Sequence, residues 1–580
     1  MRLLPVCSLL ILVLLTFSAQ AQWQENGVPV STVTGDEQDC EIISDGAGGS
    51  IIVWQTYYSY HDSPDVFAQR LDAGGYPLWT TGGVPVCTAA EGQYKPQIVS
   101  DGAGGAIIAW TDFRNSNADI YAQRIDPDGT PLWAVDGIAV CTVQDSFEWY
   151  RRSRISMVER PGGAILVWYD NRSDDGDIFA QRIDTTGALL WTPDGITVCA
   201  EAGEQGEVIA VPDESGGAIA LWIDMLSGES DLYAQRIAPD STLLWTPGGV
   251  PVCTAAGDQG KHDAIADGTG GMICVWQNES EYDGDLYSQR IDGDGLPVWD
   301  VDGIPVCTAP NGQLRPQLAT DGNEGAFYTW VDRRDAVWYE HAIYVQHFSA
   351  DGDSLWPAGG ISIREPGNWD NSLPMIAPDS FGGAIISWPT VEHMPGSQPP
   401  TFSPPAAEDI EAIFAQRIAG DGTIWWQDGG VPLCDDPGYT APRGQRILPD
   451  GTGGAVVTWY NIFAPVGIFA QRINGQGNTP PTDTGQNPPA PIFARNYPNP
   501  FNPSTTIEFG IPEASHVDLR VYDVAGRLVR TLLNERTEAG NHEVVWNGTD
   551  ESGSTVSSGV YFYRLIADEV TVTRKMVLLR

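Results

Sequence analysis

A tryptophan at the end of an apolar run recurs eight times along the 580 residues, and this repetition constrains the fold more than any other feature. In one copy the run is GAIIAW, which ends at Trp110. The copies are separated by 56, 58, 54, 54, 54, 58 and 71 residues. Such a period is typical of repeat proteins, in which each unit has the same supersecondary structure. The recurring residues, which we expect to be structural, are Trp54, Trp110, Trp168, Trp222, Trp276, Trp330, Trp388 and Trp459.

Each repeat contains four short segments with the composition of β-strands. In the unit that ends at Thr142 these are PQIVSD, GAIIAW, DIYAQRI and GIAVCT. Asp-Gly and Gly-Gly pairs separate them, as antiparallel hairpins require. The repeats show no helical periodicity. Four strands per unit are typical of propeller blades, so the sequence predicts an all-β chain with an eight-bladed β-propeller.

The two ends of the repeat array are complementary. The last unit stops at AQRINGQG, near Gly477, without its fourth strand. The segment WQENGVPV, at 23–30, resembles that strand. An N-terminal strand that completes the last blade closes the ring and removes two open sheet edges. We therefore predict a closed propeller over 22–477.

The regions outside the propeller predict export. Met1 and Arg2 precede a short apolar run and the sequence Ala-Gln-Ala at 19–21, which is typical of a signal peptide over 1–21. No other run is long enough for a transmembrane segment, so we expect none in the mature chain. Residues 478–492 are rich in Pro, Gly and Thr and are predicted to be a linker. A separate domain is predicted over 493–580.

The charge and the cysteines narrow the class of partner. With 76 acidic and 31 basic residues the net charge is −45, which disfavours nucleic acid and anionic lipid as partners.

No CxxC motif or histidine cluster indicates zinc. Most cysteines share one repeat position, from which they are poorly placed to pair, so we expect small buried side chains. They are Cys87, Cys141, Cys199, Cys253, Cys307 and Cys434.

The two faces of the predicted propeller differ. The turns within each strand pair, such as SDGAGG and IDPDG, are uniform and form what we call the turn face. The loops between second and third strands and between blades vary in length and form the loop face. Variable loops on a rigid scaffold are where binding usually occurs. One such loop carries FEWYRRSR at 147–154, which makes Trp149, Tyr150 and Arg151 candidate binding residues.

A second set of candidates follows the tryptophans in a W-x-D pattern. The first interpretation is a ring of charges around the propeller mouth. The alternative, which we favour, is that each Asp caps its turn and pairs with a local Arg. The residues are Asp112 with Arg114, Asp170 with Arg172, Asp224, and Asp332 near Arg334.

Few features of the repeats indicate a cofactor or an enzyme. The loops NRSDDGD and NESEYDGD have oxygen ligands that suit calcium but lack the EF-hand spacing, and no other cofactor is predicted. The chain has no G-x-S-x-G, HExxH or P-loop motif. RIDPDGTPLW and RIDTTGALLW resemble the tryptophan-docking repeats of eight-bladed quinoprotein propellers. The adjacent cysteine pair often seen in the enzymes of that family is missing, so the resemblance implies blade packing and not quinone chemistry.

The C-terminal region resembles known domains over its whole length. The motifs are NYPNPFNPSTTI at 496–507, VYDVAGRLVRTL at 521–532, WNGTDESGSTVSSGVYFYRL at 546–565 and KMVLLR at 575–580. They resemble the type A C-terminal sorting domain of type IX secretion cargo, a pattern shared with the FlgD-type Ig-like domain. The resemblance implies a small Ig-like β-sandwich, recognition by the secretion machinery, and delivery to the cell surface or medium.

These observations favour a non-enzymatic binding or adhesion scaffold whose ligand is a surface glycan or a protein. The alternative is a secreted glycan-active hydrolase that uses carboxylates near the propeller mouth, since carboxylate pairs are the usual catalytic groups of such enzymes. One sequence does not say which carboxylates would flank a scissile bond.

Overall fold

A computed structural model describes residues 23–579 except 25, 32–34, 58–62, 144–154, 173–175, 279–283, 336–340, 366–368, 393–409, 435–441, 462–465, 480–492, 498–500, 512–514, 525, 538–539 and 568–569. Within these residues the chain forms 40 strands, β1 to β40 in chain order, and no helix. The predicted signal peptide and the candidates Trp149, Tyr150 and Arg151 lie outside the described residues. No described segment is a helix long and apolar enough to cross a membrane.

Four strands recur in each of the repeats. The first strands are β2 Asp36–Ser44, β6 Gln93–Ser100, β10 Ser156–Arg160, β14 Gln205–Pro212, β18 Gln259–Ala266, β22 Gln313–Thr320, β26 Trp369–Asn371 with β27 Met375–Pro378, and β31 Pro442–Pro449. The second strands are β3 Ser50–Tyr57, β7 Ala106–Asp112, β11 Gly163–Asp170, β15 Ala218–Asp224, β19 Met272–Asn278, β23 Ala326–Asp332, β28 Ala384–Glu392 and β32 Ala455–Asn461. The third strands are β4 Asp65–Leu71, β8 Asp119–Ile125, β12 Asp177–Asp184, β16 Asp231–Ile237, β20 Asp285–Ile291, β24 Ala342–Phe348, β29 Ile410–Ile418 and β33 Gly467–Ile473. The fourth strands are β5 Val84–Cys87, β9 Ile138–Cys141, β13 Ile196–Cys199, β17 Val250–Cys253, β21 Ile304–Cys307, β25 Ile361–Arg364, β30 Val431–Cys434 and the N-terminal β1 Val28–Pro29.

The repeats are blades of a closed eight-bladed propeller. Each is an antiparallel sheet with its strands in chain order, as in β6-β7-β8-β9. The first strands contact one another in succession, and β2 contacts β31, so they surround the propeller axis. The last blade has the order β1-β33-β32-β31, with Val28 opposite Ala470. The predicted fold, including closure by the N-terminal strand, is confirmed.

The recurring tryptophans form the centre of each blade's packing. All eight are at most 1% exposed. The Trp110 ring lies over Gly137, where an added Cβ would be 2.6 Å from the indole Cη2. Gly137 also has a φ of +85°, so both the backbone and the close approach of the ring require glycine at this position.

Adjacent blades are joined on the turn face by a repeated hydrogen-bond group. Arg124 donates from Nε to Asp101 of its own blade at 2.9 Å and from Nη1 to the Thr185 carbonyl of the next blade at 2.9 Å. The Trp133 indole donates to the same carbonyl at 3.2 Å. The AQR and PLW motifs therefore specify how one blade meets the next.

The cysteines are buried thiols. All eight in the described residues are free, which agrees with the expectation from their shared repeat position. Burial raises the pKa of Cys141 to about 11, and it has the same effect on Cys199 and Cys253. Thiols that stay protonated at neutral pH are poor nucleophiles and poor metal ligands.

The C-terminal domain is a small Ig-like β-sandwich. One sheet has the order β34-β35-β38 and the other β37-β36-β39-β40. Its core includes Trp546, Tyr563 and Met576, all fully buried. The strands are β34 Phe493–Tyr497, β35 Thr505–Ile511, β36 Ser515–Asp523, β37 Leu528–Thr537, β38 Gly540–Trp546, β39 Gly559–Ala567 and β40 Val570–Leu578.

Candidate binding site on the loop face

The W-x-D carboxylates are bonded inside the blades. Asp112 is fully buried and accepts hydrogen bonds from the Trp110 indole at 2.8 Å and from Arg114 Nε at 2.8 Å. The Arg114 guanidinium lies 3.8 Å from the centroid of the Tyr121 ring and donates to the Asp136 carbonyl at 2.8 Å. Both charges are thus used for local structure, because each partner satisfies the other within the blade.

The other W-x-D candidates have the same environment, each in its own blade. Asp332 pairs with Arg334 at 2.7 Å, and Asp170 pairs with Arg172. Asp224 has no arginine after it; it accepts from the Trp222 indole at 3.4 Å and from the Leu226 backbone N–H at 2.9 Å. Arg114 and Arg334 also donate to Cys87 and Cys307 of the preceding blades at 3.1 Å. These contacts place the pairs in the seams between blades.

A different set of residues is exposed around the axis near the loop face. Near the loop face, the described first strand of every blade except that of β10 contains a residue with a positive φ. In β6 this residue is Lys95, with a φ of +53°, and it lies where the pairing of β6 with β7 shifts in register. The first strand of each blade is the innermost one. It pairs with another strand along one edge only, and the neighbouring blades cover both of its faces. Its exposed side chains therefore face the axis. We call the exposed residues at this position the axial ring: Asp39, Lys95, Glu207, Lys261, Arg315 and Leu373.

The axial ring concentrates positive charge in an acidic protein. The whole chain has three lysines, and both of those that precede the C-terminal domain, Lys95 and Lys261, occupy this one repeat position. Arg315 is the equivalent residue of the blade after Lys261. Asp39 and Glu207 are the acidic members of the ring. The ring therefore offers both hydrogen-bond donors and acceptors to a ligand at the mouth.

Four half-buried aromatic rings lie beside the axial ring, in a row over the last, first and second blades. Tyr57 and Tyr94 meet edge to face with centroids 6.5 Å apart, and Tyr94 and Phe113 do so at 5.3 Å. Tyr460 packs over Gly444, where an added Cβ would be 2.4 Å from its ring. We call Tyr460, Tyr57, Tyr94 and Phe113 the aromatic row.

The repeat does not require aromatic residues at these positions. The position of Tyr94 is occupied in other blades by Gln38, Gly206, Gly260 and Leu314. Tyr57 and Phe113 lie three residues after the blade tryptophan, where other blades have Asn171, Met225 or Arg333. Blades of the same fold form without an aromatic residue at these three positions, so blade packing does not account for Tyr57, Tyr94 and Phe113.

Polar groups border the aromatic row. Gln55 accepts from the Lys95 backbone N–H at 2.8 Å and donates to the Tyr57 hydroxyl at 3.2 Å, which links the first two blades. Asp36 and Asp39 are exposed on the same first strand. Burial, with the nearby carboxylates, raises the pKa of Tyr57 and of Tyr460 to about 12, so both phenols remain neutral donors. Aromatic rings with a few polar groups are the usual lining of a ligand site.

Sequence reasoning missed the aromatic row because it concentrated on what the repeats share. The signal lay in what they do not share: an alignment of equivalent positions shows Tyr94 where most blades have small or polar residues. The candidates Trp149, Tyr150 and Arg151 stay a prediction, since they lie outside the described residues.

A metal site is not assembled in the described part of the chain. No group of three or more His, Cys, Asp or Glu residues suited to a metal ion occurs there. The acidic loops NRSDDGD and NESEYDGD, at 171–177 and 278–285, are only partly described, so calcium there stays a prediction.

Comparison with known proteins identifies the C-terminal domain. Residues 501–569 match the family of the FlgD Ig-like domain. No curated protein sequence matches the chain.

Several solved structures have weak similarity to this chain. An α-L-arabinanase of Penicillium chrysogenum is 14% identical with a TM-score of 0.32, over 53% of this chain and 92% of that one. An endo-arabinase of Bacteroides thetaiotaomicron is 12% identical with a TM-score of 0.27, over 56% and 94%. A eukaryotic initiation factor is 8% identical with a TM-score of 0.40, over 79% and 93%. Similarity this low carries no inference about activity.

Proposed function

We propose that this protein is an exported binding scaffold that holds a glycan against the aromatic row on the loop face of its propeller. The observation that carries the proposal is the row itself. Its rings come from three adjacent blades, contact one another between the first and second, and are partly exposed. At Tyr57, Tyr94 and Phe113 the repeat does not need an aromatic residue. Partly exposed aromatic surface that the fold does not require is typical of an interaction site.

The chemistry of the row suits a sugar. The faces of pyranose rings carry C–H groups that pack on aromatic rings, while their hydroxyls need donors and acceptors at the edge. Tyr57, Tyr94 and Phe113 offer the aromatic surface, and Asp36, Asp39 and Lys95 offer the polar edge. A rigid blade framework holds these groups before the ligand arrives, which lowers the entropic cost of binding.

The geometry favours binding over the rival hydrolase. The hydrolase hypothesis assigned catalysis to carboxylates near the mouth. Asp112 and Asp332 are instead bonded to indole and guanidinium groups in the seams between blades, and Asp224 is bonded to an indole and a backbone N–H. A carboxylate held in this way is not free to protonate a leaving group. The acidic residues left for that role are exposed ones such as Asp36 and Asp39.

A glycan array followed by calorimetry tests the binding function. We expect the purified protein to bind a class of glycan, and Tyr94→Ala to weaken binding by about tenfold or more through loss of stacking on one ring. Trp425→Ala is the matched control, because Trp425 is an aromatic residue 41% exposed on the turn face. Equal losses in both variants, or no glycan bound, would refute the proposal. Release of sugars that Asp39→Asn abolishes would instead establish the hydrolase.

The export part of the proposal has a separate test. The signal-like N-terminus and the resemblance of 493–580 to a sorting domain support delivery through the type IX machinery to the cell surface or medium. Deletion of 493–580 in a host with that machinery is expected to leave the propeller in the periplasm. Normal surface delivery of the truncated chain would show that the Ig-like domain has another role.

A further inference from the structure

One blade departs from the charge pairing that joins all the others on the turn face. Seven blades pair an Asp at the end of the first strand with a basic residue of the third strand, at N–O distances of 2.8 to 3.1 Å. The pairs are Asp45–Arg70, Asp101–Arg124, Asp213–Arg236, Asp267–Arg290, Asp321–His347, Asp379–Arg417 and Asp450–Arg472. In the third blade the basic residue, Arg182, is present, but the position of the Asp is taken by Arg160.

Because Arg160 stands where the other blades have Asp, the guanidinium groups of Arg160 and Arg182 lack the carboxylate that the other blades provide. Arg160 is only 8% exposed, and its Nε and Nη2 have no hydrogen-bond partner among the described residues. Arg182 keeps the bond to the next blade, from Nη1 to the Pro239 carbonyl at 2.9 Å, and has no acidic partner in the described part of the chain. Burial lowers the Arg160 pKa, and the positive charge of Arg182 acts in the same direction.

The neighbouring acidic groups do not replace the missing one. Asp213 of the fourth blade attracts Arg160, but its carboxylate already accepts from Arg236 at 3.1 Å and from the Gly217 backbone at 2.6 Å. Glu214 is exposed, and Glu159 precedes Arg160 on the same strand. A nearly buried guanidinium with two unsatisfied nitrogens is costly unless an acceptor reaches it.

We propose that Arg160 and Arg182 bind a small oxyanion on the turn face, where it takes the place of the aspartate that every other blade supplies. Planar guanidinium groups bind the oxygens of phosphate, sulfate or carboxylate with paired hydrogen bonds. The anion satisfies both arginines of the third blade and holds Arg182 where it donates to the Pro239 carbonyl of the fourth blade. The site lies on the face opposite the aromatic row, so it is independent of glycan binding.

Calorimetric titration with inorganic phosphate and sulfate, at ionic strength matched with chloride, tests this site. We expect one anion per chain. Arg160→Asp restores the repeated Asp–Arg pair, so we expect that variant to fold and to bind phosphate at least about tenfold more weakly. Glu214→Gln removes a neighbouring negative charge, so we expect tighter binding than in the wild type.

Either of two results would overturn the proposal. If phosphate and sulfate produce no heat beyond the chloride control, Arg160 is balanced by Asp213 and Glu214 across the seam. If Arg160→Asp binds phosphate as the wild type does, the anion lies elsewhere. Thermal unfolding supplies a second readout: phosphate should raise the Tm of the wild type and leave that of Arg160→Asp unchanged.

Discussion

At the scale of single residues, the blade is specified by a few close contacts that recur in each copy. The glycine before the fourth strand is the clearest case. Gly137→Ala should lower the free energy of unfolding by about 3 kcal/mol, since the new methyl would overlap the Trp110 indole and the φ of +85° is unfavourable for alanine. Denaturant unfolding measures the change.

Gly102→Ala is the matched control for that substitution. Gly102 has a φ of +72°, but no atom lies within 4 Å of an added Cβ. We expect Gly102→Ala to lower the free energy of unfolding by only about 1 kcal/mol, because only backbone strain opposes it. Equal costs at the two positions would show that the contact between glycine and indole does not determine blade packing.

Glu37 lies fully buried at the join between the first and last blades. It accepts from Ser31, from the Trp54 indole at 3.1 Å and from the Ile468 backbone at 3.0 Å. Burial nevertheless raises its pKa to about 7, above the value of 4.5 for a free glutamate. The folded state therefore holds a proton that the unfolded state has released, so stability falls as the pH rises from about 4.5 to 7.

Glu37→Gln tests this dependence because the amide does not titrate. The difference in unfolding free energy between wild type and variant should change by about 3 kcal/mol from pH 4.5 to 7.5, in favour of the variant at the higher pH. Loss of the hydrogen bond from Ile468 lowers the unfolding free energy of the variant equally at every pH. It therefore does not affect how the difference changes with pH. Parallel curves for the two proteins would contradict the assignment.

At the scale of elements, the short N-terminal strand completes the last blade and closes the ring. Trp23, Val28 and Val30 are each at most 3% exposed, and the Trp23 indole donates to Ala73 of the first blade at 3.0 Å. Removal of 22–31 should lower the unfolding free energy by about 5 kcal/mol, because it exposes the apolar residues that these side chains cover and leaves the edge of β33 unpaired. Addition of a peptide of the same residues should restore part of the loss, and an unchanged Tm after removal would contradict strand closure.

The strands were predictable and the irregularities between them were not. Each of the four kinds of strand occurs eight times with the same short apolar pattern, so a chance match in one copy has little influence on the prediction. The bulge at Lys95 depends instead on how the first strand pairs with the second, where Gln97 faces Ala109 after a shift in register. Nothing in the local sequence of the first strands marks that shift, and so the axial ring was not foreseen.

At the scale of the whole molecule, the distribution of charge and aromatic surface separates the two faces. The net charge of −45 disfavours indiscriminate association with anions, whereas Lys95, Lys261 and Arg315 are gathered around the axis near the loop face. The uneven loops predict binding at the loop face, and this stays a prediction. The sequence did not predict the aromatic row, because its rings come from three blades, and Tyr460 and Tyr57 are about 400 positions apart in the chain.

Hydrogen exchange on the propeller saturated with its best glycan tests the central claim most directly. We expect protection around Asp36, Tyr57, Tyr94, Phe113 and Tyr460, with no change in the turns that carry the Arg–Asp pairs. Protection on the turn face, or a ligand that leaves the aromatic row as exposed as before, would contradict it.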